Sequence, residues 1–172
     1  MNSEESELKG TGTAEDPYQI GSAAALAEFA PEATTTRAMI VSMLARLEGV
    51  ESVNNAGFAD VSNEWYATAV NWAASVGVVN GYEDGTFKPN TAITREQLAA
   101  ILMNYAAYKG EDVSARADLS SYTNQPSTWA EEAMQWAVAE ELITGVTNDE
   151  LQPQSSATRA QVATILQRFL AE

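Results

Sequence analysis

Three arginines occupy the same unusual place in this chain, directly after a threonine that is well placed to begin a helix. They are Arg37, Arg95 and Arg159, which follow Thr36, Thr94 and Thr158. The amino end of a helix is partly positive, so a cation there is unfavourable by roughly a few tenths of a kcal/mol. A guanidinium beside the free N–H groups of a helix start is, however, suited to a carboxylate or a phosphate. The pattern therefore favours an anion site; the alternative is a surface arginine whose head pairs with a carboxylate.

Internal repeats set the places of these arginines. Residues 65–102 align without a gap with residues 129–166, and residues 29–44 align in the same way with residues 87–102. The chain therefore holds two full repeats and the back half of an earlier one.

The repeats predict four parts of the chain. We expect an atypical, partly flexible segment with a short strand and a short helix at 1–28, a partial first repeat at 29–54, a second repeat at 55–112 and a third at 113–172. Between the repeats, we align "FADVS" from Phe58 with "ADLS" from Ala117, so that Asp118 is equivalent to Asp60. This alignment places an insertion, "SYTNQPST", ahead of Trp129.

Each full repeat has the pattern of two helices around a turn-rich loop, so the expected fold class is all-α. The first helix begins near Trp65 and has one apolar face, formed by Trp65, Ala69, Trp72, Ala73 and Val76. The second helix buries Leu98, Ile101, Leu102 and Tyr105, and the same spacing recurs as Ile40, Met43, Leu44 and Leu47 and as Val162, Ile165, Leu166 and Phe169.

Capping residues mark where the second helices begin. Thr94 with Gln97 and Thr158 with Gln161 have the spacing of a capping box. The first copy has no such glutamine, so its capping depends on Thr36 alone.

Composition excludes several classes of function. The chain carries 24 acidic and 9 basic residues, a net charge of −15, which argues against nucleic acid as a partner because phosphate binding needs a basic face. Histidine and cysteine are absent, which excludes disulfides, thiol nucleophiles, serine–histidine chemistry and the usual zinc sites.

Apolar stretches fall far below the ~20 residues of a membrane-spanning helix. No cationic, apolar leader precedes the acidic start, so we expect any export signal to have been removed or never present.

Catalysis is not expected, and neither is a cofactor or a metal. Adjacent carboxylates such as Glu131 and Glu132 do not face each other on a helix, as a glycosidase pair would have to. The loop "GYEDGTF" lacks the alternating ligands of a calcium loop and is interpreted as a turn.

The second repeat resembles the S-layer homology repeat. Thirteen of its residues fall on the family pattern: Phe58, Asp60, Trp65, Gly77, Gly81, Tyr82, Asp84, Gly85, Phe87, Pro89, Thr94, Arg95 and Glu96. The third copy is looser, with Val146, Asn148, Asp149 and Leu151 in place of Tyr82, Asp84, Gly85 and Phe87, and the first keeps Phe29, Pro31 and Thr36-Arg37-Ala38. The resemblance covers roughly residues 29–170.

This resemblance implies a fold, a location and a partner. Such domains usually form a pseudo-threefold bundle of three repeats that anchors exported proteins to the bacterial cell wall or S-layer. Their partner is a secondary cell-wall polysaccharide, often with a pyruvate ketal on an amino sugar, bound in grooves between neighbouring repeats by the arginine of the Thr-Arg motif. The matched positions Glu96, Gly81 and Tyr82 join the three arginines as implied ligand-binding residues.

We expect two grooves with both halves present in the sequence. One combines Arg37 with Asp60 and Trp65, and the other combines Arg95 with Asp118 and Trp129. Arg159 has no following repeat, so it needs the amino-terminal segment to close a ring.

The sequence leaves two alternatives open for the tryptophans at the helix starts and for the aspartates. Trp65 and Trp129 either offer a flat face to a sugar ring or pack in the core, whereas Trp72 and Trp136 are expected in the core. Asp60 and Asp118 either cap the start of a helix or bond to sugar hydroxyls.

A protein-interaction scaffold is the competing function. In that case the repeats have lost sugar binding, and the incomplete first repeat self-associates with another chain.

Overall fold

The fold is given by a computed structural model, which describes residues 32–147 and 149–171. The α-helices of this part are α1 (Arg37–Leu47), α2 (Ala67–Ser75), α3 (Arg95–Lys109), α4 (Glu131–Ala139) and α5 (Arg159–Phe169), and a 3-10 turn at Thr128–Ala130 precedes α4. The β-structure of the described residues consists of isolated bridges, so the all-α prediction is confirmed. The strand and the helix expected within 1–28 lie outside the described residues.

The second helices of the repeats, α1, α3 and α5, begin at the three arginines, as the capping pattern predicts. Thr94 Oγ1 accepts from the amide of Gln97, and the Gln97 side chain accepts from the amide of Thr94, so the capping box is complete. Thr158 and Gln161 form the same box. Thr36 caps α1 alone.

The first helices, α2 and α4, begin later than the sequence suggests. Their N-cap residues are Tyr66 and Ala130, neither of which makes a side-chain capping bond. Trp65 therefore lies in the turn before α2, and Trp129 lies in the 3-10 turn before α4. Both tryptophans are partly exposed as a result.

A ring of three backbone hydrogen bonds lies at the centre of the fold. The amide of Thr35 donates to Ala157 O (3.2 Å), the amide of Ala157 donates to Ile93 O (2.8 Å), and the amide of Ile93 donates to Thr35 O (2.8 Å). All three residues are fully buried and hold the same position in their repeats. The partial first repeat thus completes the ring with the two full repeats.

The loop of the second repeat covers the start of α1. Thr91 O accepts from the amide of Arg37 (3.0 Å), and Pro89 O accepts from the amide of Ala38 (2.9 Å). Phe87 O accepts from Arg37 Nε (2.9 Å). Carbonyls of alternate loop residues therefore surround the helix start, and their partial negative charge explains why an arginine is tolerated there.

The starts of α3 and α5 are covered in the same way. At α3, Ser155 O accepts from the amide of Arg95 (3.0 Å) and Pro153 O accepts from the amide of Glu96 (2.9 Å). At α5, the amide of Arg159 donates to Ala33 O at 2.8 Å. The third repeat thus closes onto the first.

The apolar helix faces meet in one core. The predicted inward positions of α3 and α5 are all buried, namely Leu98, Ile101, Leu102, Tyr105, Val162, Ile165, Leu166 and Phe169. Trp72 and Trp136 are buried as well, which confirms their predicted place in the core. Leu47 departs from its prediction, because 54% of its surface is exposed. In the third repeat the equivalent Phe169 packs against Trp136, and the sequence of the first repeat has no counterpart of that tryptophan.

Replacing Thr35 by valine should stabilise the protein. The Thr35 hydroxyl is buried without a hydrogen-bond partner in the described structure, and an unsatisfied buried polar group costs roughly 1 kcal/mol or more. We expect Thr35→Val to raise the free energy of unfolding by about 1 kcal/mol, or Tm by about 3 °C, in thermal denaturation. Thr34→Val, at an exposed neighbour, is the control and should change little. A destabilised Thr35→Val variant would show that the hydroxyl has a partner.

Glu48 links the first two repeats through a pH-sensitive contact. Its carboxylate accepts from Lys109 Nζ (2.8 Å) and from Tyr105 Oη (2.6 Å), and these bonds lower the pKa of Glu48 from its ordinary value of 4.5. A carboxylate with a lowered pKa stabilises the fold above its unfolded pKa and loses that effect as pH falls through the folded value.

Glu48→Gln should therefore cost about 1 kcal/mol at neutral pH, the net value of one side-chain hydrogen bond. Urea unfolding of the variant and the native chain should converge as the pH falls below 4.5. Lys109→Gln serves as the control and should have a smaller effect, because the Lys109 side chain is more exposed than that of Glu48, at 42% against 17%. A difference that persists unchanged at pH 3 would contradict this account.

Candidate functional site

The larger of two cavities lined by described residues has a volume of about 650 Å³ and lies where the repeats meet. We call it the first groove, and its walls include Arg37, Gly81, Tyr82, Glu96 and Trp129. Five of the ten site residues predicted from the sequence therefore line one cavity, with members from all three repeats.

Arg37 lies in the wall of the first groove and is 6% exposed. Its guanidinium lies 4.5 Å from the ring centroid of Phe87 and 5.1 Å from that of Tyr82, in the range of cation–π contact. Burial lowers the pKa of Arg37, against the opposing effect of Tyr82 and Asp60, yet an arginine remains cationic at neutral pH. Nε is held by Phe87 O, and the terminal nitrogens donate no hydrogen bond to the described residues.

Tyr82 is fixed from three sides. Gln97 Nε2 donates to its hydroxyl at 3.1 Å, and two cations lie against its ring, Lys88 Nζ at 4.0 Å and the Arg37 guanidinium at 5.1 Å from the centroid. Gly81 precedes it where a Cβ atom would collide with the Phe58 ring and approach Thr86 O at 2.9 Å. The close approach of these elements therefore requires glycine.

Trp129 gives the first groove its exposed aromatic surface, because 62% of the residue is accessible to solvent. The sequence pairing of Trp129 with Arg95 is wrong, since Trp129 shares the cavity of Arg37. The first groove takes its arginine, its loop and its tryptophan from three successive repeats, whereas each predicted groove combined only two repeats.

Glu96 positions the turn that carries Trp129. It is 4% exposed, and its carboxylate accepts from the amide and the hydroxyl of Ser127, both at 2.9 Å. Gln154 Nε2 donates to it at 3.3 Å. Ser127 is the N-cap of the 3-10 turn, so Glu96 ties the second repeat to the segment of the third repeat that carries Trp129.

An equivalent cavity of about 320 Å³ lies one repeat further on. We call it the second groove, and its walls include Arg95, Thr144, Gly145, Val146 and Arg168. Arg95 is 4% exposed; its Nε donates to Leu151 O at 3.0 Å and its Nη2 donates to Thr144 O at 2.7 Å. Burial lowers the pKa of Arg95.

Arg159 and Trp65 line neither of these two grooves. Arg159 is half-buried at the start of α5, and burial lowers its pKa. The loop positions that correspond to Gly81 and Tyr82 in the first repeat lie outside the described residues. Trp65 is 37% exposed and packs edge-on against Tyr66, with 5.3 Å between ring centroids, so its predicted pairing with Arg37 is wrong.

Asp60 neither caps a helix nor lines the described grooves. Its two carboxylate oxygens accept from the amides of Phe87 and Lys88, both at 2.8 Å. Lys88 has a φ of 56°, a left-handed conformation that is unfavourable for a residue with a side chain. Asp60 therefore holds the bend that directs the loop carbonyls at α1.

The equivalent of Asp60 in the third repeat is Asn124, so the predicted equivalence of Asp118 with Asp60 is wrong. Asn124 Oδ1 accepts from the amides of Leu151 (2.7 Å) and Gln152 (2.9 Å), and Gln152 also has a positive φ, of 49°. Among the described residues, Asp118 accepts hydrogen bonds only from Ser120, in a local turn.

The ungapped alignment of the two full repeats extends upstream of Trp65 and Trp129. Tyr122 lies against Gly145 as Phe58 lies against Gly81, so the insertion inferred ahead of Trp129 does not exist. The offset that relates Trp65 to Trp129, extended upstream, relates Asp60 to Asn124, so the sequence does contain a signal for this residue.

The anion site expected from free helix-start amides is also corrected. At α1 and α3 the first two amides donate to carbonyls of the next repeat, and the third is capped by threonine. An anion in either groove must therefore be held by side chains.

A family model described as the S-layer homology domain matches residues 57–99 and 122–163. The second stretch begins at Tyr122, the same register that Gly145 and Asn124 establish in the structure. The match therefore supports the ungapped alignment of the two full repeats.

Relatives include an endoglucanase of Bacillus sp. (strain KSM-635), 34% identical over 145 residues, which make up 83% of this chain and 15% of that enzyme. A cellulosome-anchoring protein of Acetivibrio thermocellus is 29% identical over 149 residues, or 83% of this chain and 33% of that protein. An S-layer protein of Bacillus thuringiensis subsp. finitimus is 27% identical over 138 residues, or 78% and 16%. The chain thus spans a third or less of each of these relatives.

Within residues 32–147 and 149–171, no helix has both the length and the apolar character needed to cross a bilayer.

Asn124→Ala should destabilise the protein by about 1–3 kcal/mol, because it leaves the amides of Leu151 and Gln152 without an acceptor. Asp118→Ala is the matched control and should stay within about 0.5 kcal/mol of the native chain, since Asp118 is exposed and bonds locally. Chemical denaturation of both variants measures the difference. If Asp118→Ala were the more destabilising variant, the gapped alignment, in which Asp118 is equivalent to Asp60, would be the correct one.

Proposed function

Because the chain belongs to the S-layer homology family, whose domains attach proteins to the bacterial cell surface, we propose that it anchors a protein to the cell wall by binding a secondary cell-wall polysaccharide. The observation that carries this proposal is the meeting of Arg37, Tyr82 and the exposed Trp129 in one cavity of about 650 Å³. A flat aromatic surface beside a fixed cation suits a sugar ring with an acidic substituent.

Trp129 and Arg37 have distinct parts in this proposal. The indole of Trp129 stacks against the apolar face of a sugar ring. The terminal nitrogens of Arg37, which Phe87 O leaves unused, hold an acidic group such as the carboxylate of a pyruvate ketal on an amino sugar. Arg37 is anchored before the ligand arrives, so little side-chain entropy is lost on binding.

No catalytic step is part of this proposal. The carboxylate of Glu96 is occupied by Ser127 and Gln154. An anchoring module needs to bind its ligand but not to convert it, and the contacts of the first groove serve binding alone. We propose accordingly that the chain acts outside the cell, at the wall or S-layer of a bacterium.

Trp129→Ala should weaken binding about tenfold, because aromatic contacts of this kind contribute roughly 1–1.5 kcal/mol. The measurement is co-sedimentation or calorimetry with purified cell-wall sacculi, before and after removal of the non-peptidoglycan polymer. Tyr108→Ala, an exposed aromatic outside both grooves, is the control and should bind as the native chain does. Binding should disappear when the polymer is removed.

Two outcomes would contradict the proposal. Native chain that fails to bind sacculi would remove the anchoring function, and undiminished binding by a folded Trp129→Ala variant would remove the first groove as its site. Arg37→Lys keeps the charge but loses the planar fork, so it should lower affinity without abolishing it.

Self-association is a second candidate function, favoured by one observation. Leu47 is 54% exposed, while its equivalents Tyr105 and Phe169 are buried against each other at 5.9 Å. A second chain that covers this position would make the module an assembly scaffold. Sedimentation velocity over a range of concentrations tests this, and Leu47→Ser should then dissociate the dimer.

A further inference from the structure

The two described grooves occupy equivalent positions but differ in charge. The first groove is lined by one arginine, Arg37, and three glutamates, Glu83, Glu96 and Glu132, for a formal charge of −2. The second groove is lined by two arginines, Arg95 and Arg168, and no carboxylate lies among its described walls, for a formal charge of +2. In a chain of net charge −15, such a cationic cavity stands out from its surroundings.

Two substitutions between the repeats account for much of this difference. Ala160 stands in the second groove where Glu96 stands in the first, and Arg168 stands where Asn104 stands. One change removes a carboxylate and the other adds a guanidinium, so both make the electrostatic potential of the second groove more positive.

Arg168 is held at the edge of the second groove. Its Nη1 donates to Glu141 O (3.2 Å) and to Leu142 O (3.3 Å), both in the segment that follows α4. An arginine in the last turn of a helix often bonds to the terminal carbonyls of that same helix; this one reaches carbonyls beside the groove. Its Nε and Nη2 donate no hydrogen bond to the described residues and are open to a ligand.

Arg95 supplies a second, more deeply placed cation. Two of its nitrogens are fixed by Leu151 O and Thr144 O, and its Nη1 donates to none of the described residues. The second groove therefore has one guanidinium in its wall and another at its edge, both anchored by backbone carbonyls. Anchored guanidinium groups hold a carboxylate by charge-assisted hydrogen bonds at little cost in side-chain entropy.

We infer that the second groove is the more selective of the two for the carboxylate-bearing sugar of the wall polymer, with Arg168 as the residue that determines this selectivity, while the first groove, where three glutamates outnumber Arg37, depends more on stacking against Trp129. This inference rests on the proposed polysaccharide binding and ranks the two cavities by their preference for a carboxylate. Aromatic stacking is suited to a ring regardless of its charge, whereas paired guanidinium groups are suited to an acidic substituent.

The test uses Arg168→Gln, which keeps a polar side chain of similar reach but removes the charge. Two probes are compared by calorimetry: the polysaccharide released from purified bacterial cell walls, and the same polymer after its carboxylates have been converted to amides. We expect the variant to bind the native polymer about tenfold more weakly at low salt, and to bind the amidated polymer as the native chain does. Added salt should shrink the difference, because Arg168 lies near the surface.

Arg46→Gln is the matched control. Arg46 holds the same position in α1 that Arg168 holds in α5, is exposed, and lines neither groove. It should bind both probes as the native chain does, which separates a local effect from a change in overall charge.

The outcomes separate this inference from the proposed function. If Arg168→Gln binds the native polymer unchanged while Trp129→Ala loses affinity, the selectivity of the second groove is overturned and the polysaccharide function stands. Equal losses for both probes, or for Arg46→Gln, would likewise overturn it. If the native chain binds neither probe, both the inference and the proposed function fail.

Discussion

The ring of hydrogen bonds that joins Thr35, Ile93 and Ala157 is the contact on which the rest of the structure depends. It fixes three chain segments so closely that the loop of each described full repeat lies over the helix start of the repeat before it. Buried backbone groups must be paired, and here the pairing is completed between repeats. The repeats are thus held together by main-chain hydrogen bonds as well as by side-chain packing.

This arrangement explains the arginines that are unusual at a helix start. Arg37 and Arg95 lie under carbonyls of the following loop, so the unfavourable end of the helix dipole is offset by dipoles of opposite direction. The same bonds aim the guanidinium groups at the grooves. A structural reason for the arginine and a binding role are therefore compatible, because Nε serves the first and the terminal nitrogens are left for the second.

Much of the fold was predictable from local patterns. Leu98, Ile101 and Tyr105 follow the helical period, and the Thr94–Gln97 box marks a helix start whatever surrounds it. The sites depend on neighbours distant in sequence, and there the predictions were weaker. Whether the amides of Arg37 and Ala38 are free depends on a loop some fifty residues away. Asn124 was missed because a carboxamide performs the task of Asp60 equally well, and residue type alone does not reveal this.

Closure onto Ala33 and Thr35 gives the described repeats no free end. In an open array of repeats, a terminal unit can fray while the others stay folded, since each contacts only its neighbours in the chain. Here the last ring bond joins segments from opposite ends of the described chain, so losing any one repeat removes contacts from both others. Unfolding is therefore expected to be all-or-none, so that no single repeat unfolds while the others stay folded.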